Sequence, residues 1–132
     1  MALHYSYHGE QFGYQFSLPA DLERKLPQWS KSEAFPPLSP RVAIANARIV
    51  VQRLLFSELS TFEPNFSSCA LKTTSEYEGC LWYYVVSWFV PDADIELDWG
   101  EFSVPVLFDG TTPEPLRFRY EDRFSIYAAR QA

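Results

Sequence analysis

The chain is short of several things. It has two cysteines, Cys69 and Cys80, in 132 residues, too few for the disulfide framework of a small secreted domain. Its five glycines, Gly9, Gly13, Gly79, Gly100 and Gly110, are scattered, so there is no glycine-rich phosphate loop. No apolar run approaches the roughly 18 residues that a membrane span needs. The first residues, MALHYSYHGEQFGYQF, have neither a basic start nor an apolar core segment, so no signal peptide is expected. A cytoplasmic location with reduced thiols is the expectation that follows. Most pointedly, no Lys or Arg occurs between Thr73 and Leu116.

That gap is where the acid lies. Of 17 Asp and Glu, nine fall inside it: Glu76, Glu78, Asp92, Asp94, Glu96, Asp98, Glu101, Asp109 and Glu114. The rest of the chain holds eight acids against all 11 bases, a balance of +3 within a net charge of −6. The net charge of −6 argues against nucleic acid or an anionic membrane as the main partner, and its distribution makes the chain bipolar. With 47% hydrophobic and 17% aromatic residues the chain is too apolar for disorder. Its length suits one domain, residues 1–132, able to bury a sizeable core.

The patterning predicts an α+β domain. LHYSYHGEQFGYQF alternates, with a turn at 8–11, and reads as a strand or short hairpin. PADLERKLP (19–27) offers a short helix, followed by a proline-punctuated connection to Pro40. The best helix runs from about Pro40 to Leu59, with Ser39 as N-cap and Pro40 at its first position. Val42, Ala45, Ile49, Phe56 and Leu59 are expected on its apolar face, with Val50, Leu54 and Leu55 beside them, and Arg41, Arg48, Gln52 and Arg53 on the wet side. Ala43, Ala45 and Ala47 would let it lie close on a sheet. Strands follow at 66–74, 80–90 and 102–110, the last ending in an Asp-Gly turn signal. LRFRYEDRFSIYA (116–128) alternates as a further strand, and Asp122 interrupts it. A turn at Ser75–Glu78 would place Cys80 opposite Thr73, leaving Cys69 roughly 13 Å away, too far for a disulfide.

This order, a long helix packed on a curved antiparallel meander, resembles the cystatin-like and NTF2-like folds over residues 40–120. LWYYVVSW (81–88) and FSVPVLFDGTTPEP (102–115) are similar to strand pairs of small bacterial proteins of that shape. Such folds host unrelated functions, so the resemblance implies a fold and no activity.

The stretch PDADIELDWGE (91–101) sets Asp92, Asp94, Glu96 and Asp98 on alternate positions, with Ile95, Leu97 and Trp99 among them. A calcium loop starting at Asp92 needs Gly sixth and Glu twelfth, where this chain has Leu97 and Ser103. Acid/base catalysis needs one carboxyl set apart by burial, and an evenly spaced row does not supply that. Two readings stand. One is a solvated row that keeps a strand edge from pairing. The other is a docking surface for a basic protein, with Asp92, Asp94, Glu96, Asp98 and Glu101 supplying the field and Trp88, Phe89 and Trp99 the aromatic anchors. By composition this resembles small acidic inhibitors such as bacterial immunity proteins.

The strand at 80–90 is apolar on both sides, hence covered on both sides: by the helix on one, and by the N-terminal elements, a second copy or a ligand on the other. Cys80, Trp82, Tyr83 and Tyr84 are therefore the candidate lining of an apolar pocket, which is the rival expectation of a small-ligand-binding or enzymatic domain. His4 and His8 lie four apart with no third ligand of suitable spacing, so no metal and no cofactor is expected. The leading expectation is a non-enzymatic module that binds a basic partner, and a homodimer is compatible with it.

Overall fold

In the computed structural model of the chain the described residues are 3–8, 12–18, 29, 32–55, 65–74, 81–89 and 101–119. They form β1 (Leu3–His8), β2 (Phe12–Leu18), α1 (Pro40–Leu55), β3 (Asn65–Thr74), β4 (Leu81–Phe89), β5 (Glu101–Leu107) and β6 (Leu116–Arg119). The class is α+β: one helix and two antiparallel sheets, ordered β1-β2-β6 and β3-β4-β5. The helix expected at 19–27, and the continuations of α1 beyond Leu55 and of the last strand beyond Arg119, lie outside the described residues. Among the described residues no helix is long and apolar enough to cross a membrane.

Local chemistry sets the element ends. The Ser39 hydroxyl accepts a hydrogen bond from the Val42 amide at 3.2 Å, and the Ser39 carbonyl accepts one from the Ala43 amide at 3.1 Å. Ser39 is thus the N-cap, with Pro40 at the first helical position, where its missing N–H is no loss. After β5, Gly110 takes φ +87°, its amide bonds the Leu107 carbonyl, and the Asp109 carboxylate accepts from the Thr111 amide and hydroxyl. The Asp-Gly signal therefore turns the chain as its chemistry requires.

Residues 116–119 do not extend the β3–β4–β5 meander. They pair with β2, Gly13 opposite Phe118. The cause is a close approach: a Cβ on Gly13 would run into the Phe118 ring and lie 2.7 Å from the Tyr7 carbonyl oxygen. Only glycine lets β1, β2 and β6 converge there. The β3–β4 register also differs from the expected one. Thr74 faces Leu81 and Thr73 faces Trp82, two residues from the turn-based expectation, and a bulge sits between Phe66 and Ser68. Cys69 faces Val86 and is a free thiol whose pKa burial pushes up.

The helix buries a different stripe from the one its strongest apolar residues suggest. Ala43, Ala47, Val51 and Leu55 are buried, whereas Val42 is 44% and Ile49 64% exposed, and Ala45 also faces outward. Two alanines at a spacing of four let the backbone approach the sheet, and the packed partners there are Tyr84, Val86, Val104 and Val106. Tyrosine hydroxyls tie the layers together: Tyr14 donates to the Leu54 carbonyl at 2.9 Å and Tyr84 to the Leu38 carbonyl at 2.7 Å. The two sheets meet at Phe102, which is fully buried. Its ring stacks on Tyr7 at 4.4 Å and meets Tyr14 and Phe16 at 6.1 and 6.0 Å.

Candidate functional site: the polar end of the central sheet

β4 is buried on both faces, as its two-sided apolar sequence requires. Trp82, Tyr84, Val86 and Trp88 join the core beneath α1, together with Phe102, Val104 and Val106. Tyr83 and Val85 point the other way and pack with Leu81, Leu107 and Leu18, with Tyr5 against them. Both faces are thus covered from within one chain.

This alternation separates the candidate pocket residues. Tyr83 bonds the Tyr5 hydroxyl at 2.6 Å on one face. Tyr84 reaches Leu38, and Trp82 meets Trp29 edge-on at 5.0 Å, with the core on the other face. The three do not converge on one space. Burial, with the bond to Tyr5 as a lesser cause, pushes the Tyr83 hydroxyl well above the usual phenol range, and burial also raises Tyr84. Cys80 lies outside the described residues.

Trp88, expected on a partner-binding surface, is 1% exposed. Its parity turns it under α1, and its indole N–H has no acceptor among the described residues. Its ring is therefore part of the core and not of the free surface. Phe89, one position on, faces the opposite way and is 49% exposed. Asp92, Asp94, Glu96, Asp98 and Trp99 lie outside the described residues; the strands at both ends of that segment do not.

The second face of the β3–β4–β5 sheet changes character along its length. At one end it is apolar and covered by Leu18 and Tyr5. At the other it is polar. Ser87 faces Ser103 across β4 and β5, and their hydroxyls bond at 2.9 Å. One step further out Phe89 faces Glu101. Directly opposed residues of an antiparallel pair share a face, with Cβ atoms about 4.5–5.5 Å apart. The Glu101 side chain lies back across β4 to β3, where the Ser67 hydroxyl donates to its Oε1 at 2.8 Å. Ser67 is the extra residue of the bulge between Phe66 and Ser68; bulges re-aim side chains in this way.

The result is an exposed aromatic ring beside a half-buried carboxylate whose direction is set from a third strand. Among the described residues Glu101 takes part in no ion pair, whereas Arg53 pairs with Glu114 at 3.5 Å elsewhere on the surface. Chemically this corner offers hydrogen-bond acceptors, one negative charge and a flat apolar surface. It suits a cation better than an anion or a neutral apolar ligand. Sequence reasoning found Phe89 and Glu101 but not Ser67, whose role depends on a bulge that no local pattern marks. No protein-family model, no curated protein and no solved structure matches the chain.

Proposed function

We propose that the chain is a non-enzymatic protein-binding module of the inhibitor or immunity kind, acting in the cytoplasm and receiving a basic partner. Its surface is the Phe89–Glu101 corner together with Asp92, Asp94, Glu96, Asp98 and Trp99 between them. The observation that carries the reading is the placement of an exposed aromatic and an oriented carboxylate at the two roots of the most acidic segment of a bipolar chain. A base-free run of nine acids focuses a negative field and speeds encounter with cations. A desolvated aromatic anchor then gives the complex its lifetime. The fold likeness to cystatin-like and NTF2-like proteins, a helix against a curved sheet, belongs to the same proposal. It rests on α1 preceding the β3–β4–β5 meander and contributes no activity.

The test is titration with the basic product of an adjacent gene at low and high ionic strength. Binding is expected to weaken steeply with salt. Asp94→Lys combined with Glu96→Lys is expected to abolish it while the thermal unfolding midpoint stays in place. Unchanged affinity in that double variant sinks the reading and leaves the acidic row as edge protection.

A further inference from the structure

We infer that the Phe89–Glu101 corner reads arginine: the basic partner delivers a guanidinium that stacks on the exposed Phe89 ring and forks onto the Glu101 carboxylate. The inference rests on the reading above and sharpens it, from a field that attracts any cation to a corner that selects one side chain. Lysine and arginine answer a bare negative field alike. They differ where a planar aromatic surface and a carboxylate stand side by side. A guanidinium is flat, stacks on an aromatic face and presents a rigid fork of donors, whereas an ammonium is a compact, strongly hydrated point charge.

Three features on the face fit the flat cation. Phe89 is half exposed at a strand end, which leaves part of its side chain accessible to a partner. Glu101 lies directly opposite on the neighbouring strand, at the spacing of a cross-strand pair. Ser67 holds the carboxylate by a single bond at Oε1, which leaves lone pairs on both oxygens for a bidentate partner. The Ser87–Ser103 pair continues the polar surface inward. The base on the described part of this face is Lys72, opposite Tyr83 and so far along the strands from Glu101. Phe66 supplies an internal control. It is 50% exposed, like Phe89, but faces Trp88 on the opposite side of the sheet, its ring meeting the indole edge-on at 5.8 Å.

The experiment compares deca-arginine and deca-lysine peptides by titration calorimetry at roughly 0.15 M ionic strength. The wild-type chain is expected to bind deca-arginine about fivefold more tightly. Phe89→Ala and Glu101→Gln are each expected to erase that preference, and Phe66→Ala to keep it. Ser67 is a positioning residue, so Ser67→Ala is expected to narrow the preference and Ser67→Thr to restore it. Equal affinity for the two peptides in the wild-type chain overturns the inference, as does a preference that survives Phe89→Ala. The parent reading fails separately: it falls if neither peptide binds, and it stands if both bind equally and Asp94→Lys with Glu96→Lys weakens both.

Discussion

The orientation of α1 yields a sharp prediction, because its sequence offers two apolar stripes and the structure buries the weaker one. Val51 is fully buried and Ile49 is 64% exposed. Val51→Ala removes two carbons from the core, which costs about 1.6 kcal/mol at about 0.8 kcal/mol per buried CH₂. The residual cavity adds about 1 kcal/mol, and the better helix propensity of alanine returns a few tenths. The expected loss is about 2 kcal/mol. Ile49→Ala removes three carbons, of which only about a third of the area is buried, so the transfer loss is just under 1 kcal/mol. Helix propensity offsets part of that, leaving about 0.5 kcal/mol. Urea unfolding followed by tryptophan fluorescence reads the difference as a shift of midpoint at constant slope. If Ile49→Ala is the costlier change, the helix is rotated, Val42–Ala45–Ile49 is its buried face, and the packing described for Ala43 and Ala47 is wrong.

Two further outcomes follow from the packing. Phe102→Ala is expected to cost about 3–5 kcal/mol, since one ring joins both sheets. A double-mutant cycle of Phe102 with Tyr7 should show a coupling of about 1 kcal/mol, and no coupling would refute the stack. The raised Tyr83 hydroxyl has a signed pH consequence. Its proton is held more tightly in the folded than in the unfolded chain, whose phenols ionise near about 10. The stability it contributes is therefore complete below that pH and is lost as pH climbs from there toward the higher folded value. Tyr83→Phe should flatten the fall of unfolding free energy between about pH 10 and 11.5, measured by urea titration at each pH; an unchanged slope would remove Tyr83 as its source.

Much of the fold was legible because it is locally encoded. Ser39-Pro40 opens a helix, Asp109-Gly110 turns the chain, and the aromatic and β-branched run LWYYVVSW reads as a strand covered on both faces. The class α+β follows from the order of those signals. The candidate site was half legible. Phe89 and Glu101 stand out as an aromatic and an acid flanking the acidic stretch, yet Trp88 looked equally suited to docking. Period-2 alternation sends adjacent residues to opposite faces, and the chain itself does not say which face α1 will cover.

By itself, then, the sequence determined element types, charge asymmetry and the need to cover β4 on both sides, since each depends on neighbours a few residues apart. Tertiary structure alone decided the rest. It chose the alanine stripe of α1 because close approach to the sheet outweighs the larger but dispersed apolar area of Val42 and Ile49. It sent residues 116–119 to β2 because Gly13 leaves room there for Phe118. It brought Ser67 to Glu101, 34 residues away in the chain, because a bulge turns one hydroxyl across the sheet. Each of these is a contact between distant segments, and no periodicity within either segment contains it.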